Sequence, residues 1–408
     1  MIEEPYNFTQ EDVKKYSNID ESTLSNSDKL RMGIPEGLKP GINLKDYTIL
    51  HLLGEGSYSS VWKAYKKDQN NTYAIKISKP DKNDETISKN EIKCLKKLSN
   101  SNFILNLKSS FYYKDKNNKY LCMAVDSMGC DLHILKRLFK YKTNFYNSES
   151  SESSVSGSES SNSMNTPIIS VPFKLSKKIT YQILQGLEHI HKNNIIHTDI
   201  KLGNILIYKN MEDIKYDSDI NIKICDFGTS HSTNEPSNFN IGTIDYSAPE
   251  CIVGLPYGKA IDIWATGCIL FELLTGICLF DYTRYYDDAS EVSSGYSSSD
   301  YDNENDKTQI EFLLLCMMKK ILDGFPSKVF KKAKYYNNYF DYKGRLRFSP
   351  QFLEEDTLLN SLVNEFNYDI SYAQPLNDIL LKFLVINPNH RSNASSLLQN
   401  SWFDDRSN

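Results

Sequence analysis

The chain has 408 residues, 40% of them hydrophobic, which is enough for a sizeable buried core and more than one layer of structure. Its formal net charge of -5 excludes the globally basic footprint of a nucleic-acid-binding domain. Eight cysteines, without a CxxC pair or an accompanying His spacing, exclude a zinc framework and read as reduced thiols of an intracellular protein, cytoplasmic or nuclear.

Residues 1–43 are polar and lack the apolar run of a secretory signal, so a flexible N-terminal arm is expected, although GLKPGINL just before the first strand can pack on the folded body. From Tyr47 the runs YTILHLL, VWKAYK and TYAIKIS, separated by the turn-like GEGS and DQNN, predict an antiparallel sheet that begins with hairpins. SKNEIKCLKKLS then switches to helical spacing, with Ile92, Leu95 and Leu98 on one face. A further strand pair is expected over Phe103–Tyr112 and Tyr120–Asp126. Between Asn147 and Thr166 ten of twenty residues are Ser, a composition that cannot offset the entropy of ordering, so an insert without fixed structure is expected. A second such insert is expected over 281–306, where eight acidic residues face one Arg.

The remaining segments read as helices: KKITYQILQGLEHIHKN, AIDIWATGCILFELL, NDILLKFLVI and ASSLLQNSWF. The most hydrophobic run, Trp264–Phe280, is 17 residues long and interrupted by Glu272, too short for a membrane span and suited to a buried helix. The pattern is α+β, with a small sheet lobe over about 44–126 and a larger helical lobe over about 129–404.

Gly54 and Gly56, in G-E-G-S-Y-S-S-V, lie between two strands, a context unlike the strand-to-helix turn of a dinucleotide fold. Glycine there lets backbone amides approach phosphate oxygens, and a hairpin without a ligand explains the pattern about as well. Lys76 in YAIKI precedes Glu91 by fifteen positions; a helix glutamate can hold a strand lysine toward phosphates, or both can be surface charges. The strongest local signal is H-T-D-I-K-L-G-N from His197 to Asn204. Phosphoryl transfer needs a carboxylate to orient the acceptor, a cation near the moving phosphate and an amide oxygen for metal, and Asp199, Lys201 and Asn204 supply those groups. Asp226, 27 residues after Asp199 in I-C-D-F-G, adds a carboxylate suited to magnesium. G-T-I-D-Y-S-A-P-E closes the segment at Glu250, while Asp262 in an apolar helix and Arg391 after N-P-N-H fit buried ion-pair roles.

Together these motifs resemble the eukaryotic-type Ser/Thr protein kinase superfamily over about residues 47–404. The resemblance implies a bilobal protein kinase fold, a small antiparallel β lobe with its helix C and a larger mainly helical lobe, using ATP and Mg2+. It implies that Lys76 contacts the α- and β-phosphates and pairs with Glu91, that Asp199 is the catalytic base, and that Lys201 steadies the γ-phosphate. Asn204 and Asp226 are implied as the Mg2+ ligands. The nucleotide would be covered by Leu53, Gly54, Glu55, Gly56, Ser57, Tyr58, Ser59, Ser60 and Val61, with adenine beneath Val61 and Ala74 and against backbone groups of Asp126 and Met128. Glu250 and Arg391 are implied as a scaffold pair, Asp262 as the carboxylate that fixes the catalytic-loop backbone, and Thr243 as the threonine that favours Ser/Thr acceptors.

Within the superfamily, LQGLEHIHKNNIIHTDIKLGNILI is similar to the SR-protein kinases, particularly in H-T-D, as are L-G-E-G-S-Y-S-S-V-W and D-I-W-A-T-G-C-I-L-F-E-L-L-T-G. That likeness implies protein substrates, Arg/Ser-rich or basic; from charge and hydropathy no direct nucleic-acid partner and no membrane are expected, and a monomer is expected. Three departures stand out: Ser59 replaces the third loop glycine, the Ser-rich insert precedes the catalytic loop, and the activation segment ends in GTIDYSAPE rather than an Arg-containing form. Thr198 replaces the usual arginine before the catalytic aspartate, so activity without activation-loop phosphorylation is expected. The competing reading is a pseudokinase, a binding module that keeps the fold without transfer.

Overall fold

The computed structural model describes residues 34–35, 38–139, 171–208, 214, 220–234, 241–285, 304–322, 324–347 and 356–404. The Ser-rich stretch 147–166, residues 1–33 of the expected arm and 286–303 of the acidic stretch lie outside them. The chain divides into one unit of Met1–Leu132, His189–His197 and Gly203–His231 and another of His133–Glu188, Thr198–Leu202 and Ser232–Asn408.

Strand alternation organises the first unit. Strands β1 (Asn43–Leu44), β2 (Tyr47–Glu55), β3 (Ser59–Lys66), β4 (Asn71–Ser78), β5 (Leu107–Lys114) and β6 (Lys119–Asp126) form one antiparallel sheet in the order β1-β2-β3-β4-β6-β5. One face buries Ile49, Trp62, Ile75, Ile77, Cys122 and Ala124 in a shared core, each large side chain contributing roughly 1.5–3 kcal/mol by leaving water. Because side chains alternate, Ala74, Lys76, Met123 and Val125 point to the other face. There the helix α1 (Lys82–Lys97) contacts β4, β5 and β6, its N-terminus capped by Asp81, whose side chain accepts from the Asn83 amide.

Packing on the sheet core includes residues upstream of the first strand. Ile34 and Leu38 join the sheet core, and Ile42 and Gly41 exchange backbone hydrogen bonds with Ile49 at 2.9 and 2.8 Å, so part of the segment expected as a 1–43 arm is packed. The strand expected over Phe103–Tyr112 runs instead over Leu107–Lys114. Ile104 makes an isolated parallel bridge to Ile224, and the Asn106 side chain turns to Asp126 at 2.8 Å, which takes residues 103–106 out of the hairpin ladder.

The second unit is mainly helical. Every residue of the helix Ala260–Thr275 after Ala260 is buried, as its all-round apolar sequence requires. The helix Ile370–Phe383 crosses it at Gly267, where a Cβ would stand 2.5 Å from that of Phe383, so no larger residue allows this approach. Among the described residues no helix is long and apolar enough to cross a membrane. Of the stretch 281–306, Tyr282–Tyr285 form a 3-10 turn and Glu304 opens the helix Glu304–Ile321. All eight cysteines are free thiols.

Candidate active site

In the first unit the sheet register assembles a cationic pocket wall. Val61 lies opposite Lys76 across β3 and β4, and Ala74 is two residues before Lys76, so all three share one face. The glycine-rich turn joins β2 to β3 and is closed by the Gly56 amide donating to the Ser59 carbonyl at 2.8 Å. Leu53 and Tyr58 are exposed, as are Glu55, Gly56 and Ser57, and Gly54 is half-buried. Ser59 and Ser60 are buried, Ser60 accepting from the Trp62 indole at 3.1 Å. The departure at Ser59 therefore falls within the strand and leaves the turn itself with two glycines.

Lys76 is the centre of a three-residue charge cluster. Its ammonium donates to Glu91 Oε2 at 2.7 Å and to Asp226 Oδ1 at 3.0 Å. Burial disfavours the charge on Lys76, yet the two carboxylates outweigh it and raise its pKa above the ordinary lysine value. Glu91 is buried on α1, and burial pushes its carboxyl up while Lys76 opposes that shift.

Asp226 sits at φ +64, a left-handed conformation that costs a non-glycine residue about 1–2 kcal/mol. Its neighbours hold it there. The Cys225 amide donates to the Asn204 carbonyl at 3.0 Å, the His197 Nε2 lies 2.9 Å from the Cys225 carbonyl, and the Phe227 ring packs on His197 at 4.7 Å. The antiparallel pair Ile205–Ile207 and Ile222–Ile224 aligns Ile205 with Ile224, which brings Asn204 and Asp226 to the same end of one ladder. Asn90, which the sequence reading passed over, donates to the carbonyls of Gly228 at 3.0 Å and Ser230 at 2.6 Å and ties this segment to α1.

Asp126 and Met128 also belong to the first unit. The Asp126 carboxylate faces Lys108 at 2.7 Å and Asn106 at 2.8 Å, and these partners outweigh burial and hold it below the usual carboxylate range. Its amide donates to the Asn106 carbonyl at 3.3 Å, which takes that amide from the adenine contact that the resemblance implies.

The second unit holds Asp199 and Lys201, which close a ring with Thr243. Thr243 Oγ1 donates to Asp199 Oδ1 at 2.9 Å, Lys201 Nζ donates to Thr243 Oγ1 at 2.9 Å, and Lys201 lies 2.9 Å from Asp199 Oδ2. Gly242, at φ +76, makes the ring possible: a Cβ there would meet the Thr198 carbonyl at 2.7 Å. The buried Asp262 accepts from the Thr198 amide at 2.9 Å and so braces the backbone that carries Asp199. A small cleft is lined by Asp199, Gly242, Thr243, Tyr246, Ser247 and Asp262.

Two further networks fix the segment after Thr243. Arg391 grips Glu250 with two hydrogen bonds of 2.7 and 2.9 Å, donates to the Ala260 and Val385 carbonyls, and lies 5.0 Å from the Trp264 ring. The Tyr246 hydroxyl donates to Glu272 at 2.6 Å, and Glu272 also pairs with Lys136. Asp245, beside Tyr246, is pushed up to about 6 by burial and then by Glu272 and Asp281.

Among the described residues no cluster of three or more His, Cys, Asp or Glu could by itself hold a metal. One carboxylate and one amide oxygen, Asp226 and Asn204, fit a magnesium ion that completes its shell with substrate phosphates and water.

A family model described as protein kinase domain matches residues 47–403. The chain is 24% identical over 414 residues to a serine/threonine-protein kinase SRPK of Physarum polycephalum, covering 88% of this chain and 86% of that protein. It is 24% identical over 387 residues to the serine/threonine-protein kinase AFC2 of Arabidopsis thaliana, covering 88% and 76%. It is 31% identical over 244 residues to Cyclin-dependent kinase-like 5 of Mus musculus, with 58% of this chain and 22% of that protein covered.

Proposed function

Because the chain belongs to the protein kinase domain family, matched over residues 47–403, we propose that it transfers the ATP γ-phosphate to Ser and Thr hydroxyls of proteins. The observation that carries this reading is the ring of Asp199, Lys201 and Thr243, in which a threonine hydroxyl already donates to the carboxylate at 2.9 Å. A substrate hydroxyl is the same chemical group. Asp199 orients it and accepts its proton at a carboxylate oxygen, while Lys201 offsets charge on the moving phosphoryl group.

Lys76, held charged by Glu91 and Asp226, is suited to the α- and β-phosphates, and the Val61 and Ala74 face is suited to the adenine. Asp226 and Asn204 would hold magnesium, which supplies charge neutralisation on the phosphates. Catalysis of this kind rests on positioning and electrostatics, without a covalent enzyme intermediate.

We extend the proposal to substrate class. The stretch 281–306, with eight acidic residues and one Arg, raises the local concentration of cations and favours basic or Arg/Ser-rich substrates. The enzyme acts as an intracellular monomer on this reading. A peptide array with ATP and Mg2+, run at low and high salt with Asp199→Asn as control, tests both levels. Preferential labelling of Arg-rich peptides that fades with salt is expected. Equal labelling of Arg-rich and Arg-free peptides would remove the substrate preference alone, and nucleotide binding without any labelling would leave a pseudokinase.

A further inference from the structure

Residues 327–347 carry seven Lys or Arg and a single acid, Asp341, in a chain whose net charge is -5. All seven cations are exposed, and Arg345 already pairs with Asp341 at 2.9 Å. Among the described residues, the other six have no carboxylate within ion-pair distance.

The segment is a built platform. The rings of Phe325, Phe330 and Phe340 meet edge to face at 5.2–6.2 Å, and Tyr336 stacks on Phe340 at 4.9 Å. Tyr339 donates to Glu311 at 2.6 Å, and the amides of Lys334 and Tyr335 donate to the Gly254 and Val253 carbonyls at 3.2 and 3.0 Å. A short hairpin pairs Phe340 with Leu346 and is tied by Arg347 Nε to the Asn337 carbonyl at 2.8 Å. The Phe rings and Tyr339 face inward and the cations outward; Tyr335 is half-buried with Lys334 Nζ 5.0 Å from its ring centroid, and Tyr342 at the hairpin turn is 83% exposed, with Lys343 Nζ 5.4 Å from its ring centroid.

Like charges fixed on so small a body repel one another, and a polyanion relieves that repulsion. Five of these seven cations are Lys, compact point charges on flexible stems that bind phosphates without a fixed bidentate geometry and so can follow a flexible backbone. An exposed tyrosine face among cations adds what an acidic peptide has little use for, a stacking surface for a base. We propose that this surface binds single-stranded nucleic acid, with phosphates on Lys331, Lys332, Lys334, Lys343 and Arg347 and a base on Tyr342. Because the inference concerns none of the residues assigned to phosphoryl transfer, it stands or falls apart from the proposed activity.

Fluorescence anisotropy of the full chain with a labelled single-stranded oligouridylate tests it. Replacing Lys331, Lys332 and Lys334 by Ala should weaken binding and reduce the slope of log K against log salt by about 2, since each lost single-strand phosphate contact contributes about 0.7. Tyr342→Ala should weaken binding roughly fivefold or more with the slope unchanged, because stacking is not a counterion effect. Both variants alter exposed side chains, so melting temperature and phosphorylation of a generic Ser peptide should match the parent. Equal affinity for polyglutamate together with indifference to Tyr342→Ala would make this a docking surface for acidic proteins and overturn the proposal. Absence of any salt-dependent binding by the parent would also overturn it.

Discussion

Gly242→Ala is the substitution that most sharply separates positioning from folding. Alanine at φ +76 costs about 1–2 kcal/mol from the left-handed conformation alone. Its Cβ would also stand 2.7 Å from the Thr198 carbonyl, where ordinary contact begins at 3.4 Å, so one segment must shift by the 0.7 Å difference. Thr243 is the next residue, and its two hydrogen bonds of 2.9 Å to Asp199 and Lys201 would lengthen toward the limit of useful geometry. Displacement of about 1 Å at a reacting group costs on the order of a hundredfold in rate, so kcat should fall between about tenfold and a hundredfold. The KM for ATP should stay near the parent value, because Lys76, Glu91 and Asp226 are untouched. Steady-state kinetics with varied ATP and a saturating Ser peptide reads both parameters. Gly344→Ala is the control: it carries the same backbone cost at φ +82, its nearest side-chain neighbour is 3.3 Å away, and it should leave kcat unchanged. Unaltered kcat in Gly242→Ala, or an equal loss in both variants, would refute the positioning argument.

Arg391→Met should destabilise the second unit by about 3–5 kcal/mol in urea denaturation, because it leaves the buried Glu250 carboxylate uncompensated, and adding Glu250→Gln should recover much of that loss. A single-variant loss below about 1 kcal/mol would mean the pair is not a scaffold element. Asp245 should make stability pH-dependent. Its folded value near 6 lies above the unfolded 3.8, so the folded state binds the proton more tightly and stability falls as pH rises from about 4 through about 6. Asp245→Asn removes that penalty, worth up to about 3 kcal/mol, and should flatten the profile between those pH values; an unchanged profile would place the titration elsewhere. Replacing Thr229, Ser232, Thr233 and Ser237 by Ala, while sparing Ser230, whose hydroxyl donates to the His197 carbonyl at 3.0 Å, should leave the purified enzyme active. Loss of activity in that variant would contradict the expectation drawn from Thr198.

The hairpins of the sheet were legible because short β-rich runs are separated by glycine- and asparagine-rich turns, whereas the contact of Lys76 with Glu91 was legible only through the family resemblance, since either charge alone reads as a surface residue. What escaped has physical reasons. Asn90 looks like a solvent-facing helix residue until residues 228–230 lie against it. Ile34 is an apolar residue in a polar stretch upstream of GLKPGINL, without a period that reveals its burial. Glu272 reads as a charge interrupting an apolar helix, and only tertiary structure supplies Lys136 and Tyr246 as its partners. Net charge averaged the basic platform 327–347 against acidic segments elsewhere, so a surface property vanished in the sum.

In the proposed mechanism Asp199 is required for transfer and not for nucleotide binding. Single-turnover transfer of the γ-phosphate from saturating ATP and Mg2+ to a Ser peptide, compared between the parent and Asp199→Asn, tests it most directly. A fall of at least about a hundredfold is expected, the lower end of what a positioned general base contributes. Transfer by Asp199→Asn within about threefold of the parent, well inside that lower bound, would contradict it.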